Sequence, residues 1–254
     1  MQNDDRTVGS ILSRRQALGI VGVAGLALLT GHGGVEPASA SAMGLGASGV
    51  VVTPAEEEGP FFVNVGLHRS DLTANTKNPN VLHGLPLTLK LKVYQVNGSK
   101  VTPLSGAHVD IWHADAEGVY SDEPMEGTEG ETFLRGYQVT DAGGAVQLKT
   151  IYPGWYPGRT AHVHFKVRTY SASGKKTYEF TSQLYMDDKI TDIVYADAPY
   201  NRRGPRPTRN ADDGVYNTET SNGTASGSQL LLNLTKASSG KGYVGIFTIG
   251  LQMN

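Results

Sequence analysis

The chain has 254 residues, a formal net charge of −2, 32 glycines and no cysteine, and 39% of its residues are hydrophobic. The apolar content permits a packed core, and the nearly neutral charge disfavours nucleic acid as the main partner. The absence of cysteine excludes disulfide scaffolds, thiolate zinc sites, iron–sulfur clusters and cysteine nucleophiles. Tyrosine outnumbers phenylalanine by 12 to 6, and a phenol can do more than pack.

Residues 1–42 have the composition of an export signal. Arg14 and Arg15 precede an apolar run at 17–29, which has about 13 residues. A membrane-spanning helix needs about 20 residues, so the run is too short to cross a bilayer. Two overlapping A-x-A cleavage sites follow at 38–42. The arginine pair resembles a twin-arginine signal, which serves proteins that are exported already folded.

We therefore predict an exported protein with no stable membrane insertion once the signal at 1–42 is removed. An ordinary secretory leader and an uncleaved membrane anchor are the alternative interpretations of this segment. An exported protein without cysteine cannot use disulfides, so its stability must come from core packing or from a bound metal. Residues 43–254 are predicted to form a single domain.

This domain is predicted to consist of many short strands. Apolar and polar residues alternate in segments bounded by turn residues. The predicted strands are 87–96, 107–112, 137–140, 145–151, 162–169, 177–185 and 243–251. The segment 228–234 fits either a short strand or a helical turn. No long stretch has the apolar period of a helix, so the pattern predicts an all-β fold, either a β-sandwich or a barrel.

Turns and two long irregular segments connect the predicted strands. The Asn-Gly pair at 97–98 is a strong hairpin signal, and the segments 141–144 and 173–174 are predicted to be turns that join adjacent strands. The segment 50–82 is predicted to wrap around the strands. The segment 196–227 is also irregular, and loops of this length in compact domains are usually functional or mobile.

Two histidines in one predicted strand are the first indication of a site. His162 and His164 are two residues apart, so both imidazoles point to one face of the strand, at a spacing suited to one metal ion. The pair alone is a weak signal, because H-x-H is common on solvated strands. Its surroundings strengthen the signal, since Tyr156 and Arg159 lie in the preceding turn and another phenol, Tyr120, follows an earlier strand.

Six segments, in this order, resemble the intradiol ring-cleavage dioxygenases, in particular the short, exported, bacterial kind. They are E-G-P-F-F at 58–62, D-I-W-H-A-D-A-E-G-V-Y-S at 110–121, F-L-R-G-Y-Q-V-T-D at 133–141, T-I-Y-P-G-W-Y at 150–156, R-T-A-H-V-H at 159–164 and T-S-Q at 181–183. The ordered set of two tyrosines, an arginine and H-x-H is highly specific, unlike any one piece. The resemblance implies a β-sandwich with a transthyretin-like core and long wrapping loops.

The resemblance also implies a non-haem Fe(III) ion bound by four side chains. Carried over by position, Tyr120 is the equatorial tyrosinate and Tyr156 the axial one. His162 is then the axial imidazole and His164 the equatorial one, with hydroxide or water as the fifth ligand. The donor chemistry agrees, because hard oxygen ligands favour a hard ion, imidazole suits iron, and a bound cation deprotonates a phenol.

The implied reaction inserts both atoms of O2 into a catechol-type aromatic and opens the ring between the two hydroxyl-bearing carbons, giving a cis,cis-muconate-type product. Tyr156 leaves the metal and accepts a proton from the incoming diol. Arg159 stabilises the negative charge that develops, and Gln183 supplies an amide near the ligands and the substrate. The predicted partners are a small aromatic diol and O2, with no nucleic acid; the number of subunits is left open.

Other polar residues in these segments are predicted to be structural. His108 and His113 are assigned to packing and hydrogen bonding rather than to the metal. Asp110 and Asp115 are expected to stabilise a turn, and Arg135 is expected to pair with an acid. None of the five is predicted to contact the metal.

Two other functions remain as alternatives. One is a transthyretin-like binding module that has kept the motif without activity; the complete set of four ligands argues against it. The other is a zinc-dependent metallohydrolase, which would need a carboxylate near the metal. The substrate is also open: the acidic segment 56–58 and the basic segment 202–209 could favour or disfavour a carboxylated ring, and the sequence does not place either. The segment 50–82 lacks a helical pattern, so a helical dimerisation linker is not expected.

Overall fold

Two β-sheets carry most of the secondary structure in the computed structural model, which describes residues 49–253. The strands are β1 (Pro86–Asn97), β2 (Lys100–Pro103), β3 (His108–Trp112), β4 (Arg135–Val139), β5 (Ala145–Ile151), β6 (His162–Tyr170), β7 (Lys176–Tyr185), β8 (Asn233–Lys236) and β9 (Tyr243–Gln252). The helices are α1 (Pro79–Leu82), α2 (Asp188–Val194) and four 3-10 turns at Pro124–Glu126, Tyr200–Arg203, Asn210–Asp212 and Ser226–Gln229. The predicted all-β sandwich is confirmed.

Strand β1 organises the first sheet. It pairs with β9 along one edge, and with β5 and then β2 along the other, while β8 extends the sheet beyond β9. The second sheet has the order β4-β3-β6-β7. All strand pairs are antiparallel except β1 and β9, which run parallel.

The hydrophobic core fills the space between the two sheets. Every second residue of β1 between 87 and 93 is buried, and these residues are Leu87, Leu89, Leu91 and Val93. They belong to one cluster with the alternate residues Val163, Phe165 and Val167 of β6. Burying a large apolar side chain contributes about 1.5–3 kcal/mol to stability. The alternating apolar residues of β1 and β6 therefore account for the packing of the two sheets against each other.

Strand β6 is buried on both of its faces. Its apolar residues face the core, whereas His162, His164, Lys166 and Arg168 alternate with them, because successive side chains of a strand point to opposite faces. All four are nevertheless buried, with exposed fractions of 1–7%. The outer face of the second sheet is therefore a buried polar layer, and this is where the predicted site residues lie.

The predicted wrapping segment closes over this layer. The Glu56 amide donates to the Thr181 carbonyl of β7 at 3.2 Å, and the Tyr137 amide of β4 donates to the Leu67 carbonyl at 2.9 Å. Segment 50–82 is irregular apart from isolated bridges and the four-residue α1. It contains no long helix, in agreement with the sequence.

Two of the predicted turns are hairpins and one is not. The Asn-Gly pair at 97–98 joins β1 to β2, with Gly98 at φ 58°, and the turn at 173–174 joins β6 to β7. The prediction that 141–144 joins two adjacent strands is wrong. That turn carries the chain from β4 in one sheet to β5 in the other, because the two strands place their apolar faces on opposite sides of the core.

Three short elements differ from the predicted pattern. The segment 228–234 divides into the 3-10 turn Ser226–Gln229 and the start of β8. Strand β2 and helix α2 were not predicted, because both are too short to show a clear period. Helix α2 begins at the carboxylate of Asp187, which accepts hydrogen bonds from the amides of Lys189 and Ile190 at 2.8 and 3.2 Å.

Residues 49–253 all fall in one compact unit. No helix in this range is long and apolar enough to cross a membrane. The export signal predicted at 1–42 lies outside the described residues, so both the signal and the domain boundary after it stay predictions.

Replacing Phe165 with Ala tests the core contributed by β6. Phe165 is fully buried, so the variant should lose about 3–5 kcal/mol of unfolding free energy. Ile246→Ala is the matched control on the exposed face of β9, where the side chain is 46% exposed, and should change the free energy by less than about 0.5 kcal/mol. Urea unfolding measures both; equal losses would contradict this placement of the core.

Candidate active site

Four predicted metal ligands converge on the outer face of the second sheet. The Nε2 atom of His162 lies 3.1 Å from Nε2 of His164, 3.2 Å from the Tyr156 phenol oxygen and 3.4 Å from the Tyr120 phenol oxygen. Bonds from a metal to nitrogen of about 2.0–2.1 Å leave neighbouring ligand atoms of one ion separated by roughly these distances. The four donor atoms are therefore close enough to bind a single metal ion.

Close backbone contact brings the two tyrosines to the histidines. Tyr120 follows β3, and Tyr156 lies between β5 and β6. A Cβ atom on Gly118 would lie 1.9 Å from the Trp155 carbonyl oxygen, and one on Gly154 would lie 2.4 Å from the Asp115 carbonyl oxygen. Only glycine permits this approach, so the G-V-Y and P-G-W-Y segments can pack against each other.

The two imidazoles are neutral in the protein. The Nδ1 atom of His162 donates a hydrogen bond to the Thr160 carbonyl at 2.7 Å, which leaves a lone pair on Nε2. Burial lowers the pKa of His162 to about 3 and lowers the pKa of His164 well below its ordinary value. The Nδ1 atom of His164 is buried and has no hydrogen-bond partner among the described residues.

The two phenols are protonated unless a cation lies beside them. The pKa of Tyr120 lies well above its ordinary value, mainly because the side chain is buried, and neighbouring Tyr156 raises it further. Burial also raises the pKa of Tyr156, against the opposing effect of Arg159. Because a bound cation favours the phenolate, this oxygen and nitrogen donor set fits a hard metal ion.

No group of three or more His, Asp or Glu side chains that could hold a metal occurs within residues 49–253. The donor set at the site is accordingly two phenols and two imidazoles. This composition does not provide the carboxylate that a metallohydrolase would use, and it fits a hard metal ion of the kind that the family resemblance implies.

Aromatic rings surround the four ligands. Phe61 stacks on Tyr120 with ring centroids 4.4 Å apart, and Trp112 stacks on His164 at 4.9 Å with an angle of 9° between the planes. Phe62 packs with its edge against Trp112 at 4.8 Å. The E-G-P-F-F segment thus covers the ligands. The sequence contained this segment as a motif, but it did not indicate that its phenylalanines contact the site.

Arg159 lies beside the ligands and is held by two buried residues. Its Nε atom donates to the Asp213 carboxylate at 2.9 Å, and an Nη2 hydrogen bond reaches the Gln183 amide oxygen at 2.5 Å. Its backbone amide donates to the Tyr156 carbonyl at 3.3 Å, and its charge opposes the rise of the Tyr156 pKa that burial causes. The predicted catalytic residues Tyr156, Arg159 and Gln183 therefore form one connected group.

Asp213 was missed as a site residue by sequence analysis. It is fully buried, and its Oδ2 atom accepts from both Arg159 and the Thr160 amide, at 2.9 and 2.8 Å. Its Oδ1 atom accepts from the amides of Val215 and Tyr216 at 2.8 and 3.1 Å. These bonds lower its pKa against the opposing effect of burial. The only sequence signal was an acidic pair inside a long loop.

Glu56 is a second acid close to this group. Its carboxylate accepts hydrogen bonds from the hydroxyls of Tyr185 and Ser226, at 2.7 and 2.6 Å. Burial raises its pKa to about 7, although these hydrogen bonds and the charge of Arg159 oppose the increase. Tyr185 also lies 3.3 Å from the Gln183 amide oxygen, so the network of polar groups extends from Arg159 to Glu56.

An open cleft of about 640 Å³ begins at Arg159. One side is formed by residues of the wrapping segment and the other by the long loop after α2. Its lining residues are Ala55, Glu56, Glu57, Gly158, Arg159, Asp213, Gly214, Val215 and Thr218. Since Arg159 also contacts Tyr156, the cleft is the described cavity that adjoins the ligand cluster.

The structural assignments of three other polar residues agree with the contacts. His113 is buried, with its ring nitrogens 2.7 Å from the Ala114 carbonyl and 2.7 Å from the Thr150 hydroxyl. His108 stacks on Tyr137 with ring centroids 4.6 Å apart. Asp115 stabilises a turn, because its Oδ1 atom accepts from the amides at 117 and 119, at 2.9 and 3.0 Å.

Two of the structural assignments are wrong. Asp110 does not stabilise a turn: it lies within β3 and pairs with Arg168 of β6 at 2.6 Å, because a buried carboxylate needs a charged partner. Arg135 does not pair with an acid. Its guanidinium donates to the carbonyls of Phe61 and Ser121, at 2.5 and 2.6 Å, and to the Ser121 hydroxyl, so carbonyl and hydroxyl oxygens satisfy this buried cation.

Comparison with known proteins gives a consistent family. A family model described as Dioxygenase matches residues 57–222. Catechol 1,2-dioxygenase 1 of Acinetobacter lwoffii is 30% identical over 163 residues, which cover 54% of this chain and 49% of that protein. The chain thus spans about half the length of the curated relatives it matches.

Two solved structures with the same fold align with this chain over nearly their whole length. An intradiol ring-cleavage dioxygenase from Tetranychus urticae is 26% identical, with a TM-score of 0.66, over 80% of this chain and 95% of that one. The dioxygenase domain of a carbohydrate-binding fusion protein from Streptomyces sp. SirexAA-E is 29% identical, with a TM-score of 0.55, over 80% and 100% of the two chains.

Glu56 should make the stability depend on pH. Its folded-state pKa of about 7 is above its ordinary value of 4.5, so the folded protein binds this proton more tightly than the unfolded chain. The stabilisation of the fold that comes from this bound proton is fully present below pH 4.5 and is lost as pH rises through 7. The thermal midpoint of the wild type should therefore fall relative to that of Glu56→Gln between pH 5 and 8.

Thermal unfolding at several pH values, with the exposed-site variant Glu129→Gln as the control, measures this difference. Glutamine at 56 keeps an oxygen that accepts from Tyr185, so the comparison isolates the proton. Parallel curves for the wild type and Glu56→Gln would contradict the assignment.

Proposed function

We propose, since the chain belongs to the intradiol ring-cleavage dioxygenase family, that it opens the ring of catechol-type aromatic diols between the two hydroxyl-bearing carbons. Both atoms of O2 enter a cis,cis-muconate-type product. The observation that carries this proposal is that two phenol oxygens and the His164 imidazole each lie within 3.1–3.4 Å of Nε2 of His162.

We assign a non-haem ferric ion to this cluster, with Tyr120, Tyr156, His162 and His164 as its protein ligands. When bound, the ion supplies a Lewis acid that binds the diol as a dianion and makes its ring reactive toward O2. His162 presents Nε2 because its other nitrogen donates to the Thr160 carbonyl. The stacking of Trp112 on His164 and of Phe61 on Tyr120 restricts ring rotation at two further ligands.

Tyr156 is suited to accept a proton from the incoming diol. Its side chain is half-buried, whereas that of Tyr120 is buried, so Tyr156 is the ligand with more freedom to move. Burial raises the pKa of the Tyr156 phenol, and the charge of the Arg159 guanidinium opposes that increase. We therefore place the first proton on the Tyr156 phenol oxygen.

Arg159 and Gln183 act on the negative charge of the bound diol. The guanidinium is orientated by Asp213 on one side and by the Gln183 amide oxygen on the other. The Gln183 amide nitrogen donates to the Glu57 carbonyl at 3.0 Å, which holds the amide in place. A cation held in advance stabilises developing charge without the cost of reorientation.

Neither alternative function has an observation that favours it. A non-catalytic binding module would not need four buried donor atoms directed at one point. A zinc-dependent hydrolase would use a carboxylate beside the metal to activate water, and the donor groups at this cluster are phenols and imidazoles.

Tyrosine substitutions test the ligand assignment. The iron-loaded protein should have the red to burgundy colour of tyrosinate-to-ferric charge transfer, and Tyr120→Phe and Tyr156→Phe should each shift or weaken that band. Tyr156→Phe should also lower kcat by roughly 100-fold, the lower range for loss of a general base.

The matched control is Tyr152→Phe, because the Tyr152 hydroxyl is buried but bonds to Thr191, away from the cluster. It should keep the band of the wild type. A colourless iron-loaded protein that does not cleave catechol would refute the proposed function, and an unchanged band in Tyr156→Phe would remove that residue from the ligand set.

Asp213→Asn tests whether the buried carboxylate positions Arg159. Loss of the charged partner should let the guanidinium shift and lower kcat by about tenfold to a hundredfold. KM and the charge-transfer band should change little, because the four ligands stay in place. Asp213→Glu should restore part of the activity.

The neighbouring exposed Asp212 supplies the control variant Asp212→Asn, which should retain the kcat of the wild type. Steady-state kinetics and the visible spectrum of the iron-loaded variants provide the measurements. A loss of the band in Asp213→Asn would show that Asp213 supports the ligands instead of Arg159.

A further inference from the structure

We propose that the cleft beside Arg159 binds the ring substituent of the diol and selects catechols whose substituent is uncharged or cationic over those that carry a carboxylate. This inference rests on the proposed function and names its substrate class. It follows from where the structure places the acidic and basic segments near the site.

The cleft lies beside the proposed reaction centre, and Arg159 connects the two. Arg159 lines the cleft, its backbone amide donates to the Tyr156 carbonyl at 3.3 Å, and its charge acts on the pKa of the Tyr156 phenol. A diol bound at the ligand cluster therefore lies near the part of the cleft that Arg159 lines. The volume of about 640 Å³ is within the range of about 300–1,000 Å³ for small-molecule sites, and it is larger than a single six-membered ring fills. The remaining space is available to a substituent.

The side chains that line this space carry more negative than positive charge. Three acidic residues, Glu56, Glu57 and Asp213, contribute to the lining, against the single basic residue Arg159. Asp213 pairs directly with Arg159 at 2.9 Å, so the guanidinium charge is already compensated. A carboxylate entering the cleft would meet Glu57, and also Glu56 wherever that residue is ionised, without a free cation to pair with. This repulsion costs free energy in a partly buried site.

The arginines of the long loop do not change this balance. Arg206 pairs with Asp188 and Asp192 at 2.5 and 2.8 Å, and Arg209 pairs with Asp192 at 2.8 Å. Both acids belong to α2. Arg202 pairs with Glu117 at 3.1 Å, and Arg203 lies over the Trp155 ring at 5.8 Å. None of the four lines the cleft.

The amide and acid forms of one substrate isolate the effect of charge. The iron-loaded full chain is assayed with 3,4-dihydroxybenzamide and 3,4-dihydroxybenzoate, which have nearly the same shape, and with 4-ethylcatechol and 4-(2-aminoethyl)catechol. We expect kcat/KM for the amide to exceed that for the acid by about tenfold. The aminoethyl compound should be cleaved at least as efficiently as the ethyl compound.

The double variant Glu56→Gln with Glu57→Gln removes both carboxylates that do not pair with Arg159. Its amide-to-acid ratio should fall below about threefold, and 1 M salt should reduce the ratio in the wild type, because exposed charges are screened. Glu129→Gln, at an exposed position outside the cleft, is the control and should keep the ratio of the wild type.

Unsubstituted catechol separates the two proposals. If iron-loaded wild type does not cleave catechol, the proposed function fails. If it cleaves catechol but handles the acid as well as the amide, or if the double variant keeps the full ratio, the inference about the cleft is overturned and the proposed function stands.

Discussion

The burial of strand β6 on both faces is the constraint on which the rest of the molecule depends. One face supplies apolar side chains to the core between the sheets, and the other carries His162, His164, Lys166 and Arg168 in a row. A buried polar group destabilises the fold unless a partner compensates it. Each of these side chains therefore requires a specific neighbour, and much of the chain outside the sheets supplies those neighbours.

The partners of this row explain the surrounding architecture. Arg168 pairs with Asp110 of β3, and Lys166 pairs with Glu58 of the wrapping segment and with Glu179 of β7. Glu58 begins the segment whose Phe61 and Phe62 cover Tyr120 and Trp112. The ion pair between Lys166 and Glu58 thus helps to hold these aromatic residues beside the two histidines. The Nε2 atoms of His162 and His164 lie close to two phenol oxygens, and these four atoms together can bind a metal ion.

A second set of contacts links the reaction centre to the long loop after α2. Asp213 joins this loop to Arg159 and to the Thr160 amide, and the Thr160 carbonyl in turn holds His162. One buried carboxylate therefore connects the long loop both to the proposed catalytic cation and to the turn that precedes β6. The same loop forms one side of the cleft, where acidic residues of the wrapping segment form the other. Binding selectivity and the positioning of Arg159 consequently depend on the same two connecting segments.

The sequence by itself determined the all-β class, most strand positions and the residues that meet at the cluster. Those features depend on local periodicity, on turn chemistry and on an ordered motif within 58–183. Only the tertiary structure decided the partners of Asp110 and Arg135, the role of Asp213 and the sheet change at 141–144. It also decided that Arg202, Arg206 and Arg209 pair with Glu117 and with acids of α2, while Glu56 and Glu57 line the cleft. The physical reason is that a buried charge is satisfied by whichever group the fold brings within hydrogen-bonding distance, and that distance has no fixed relation to separation along the chain.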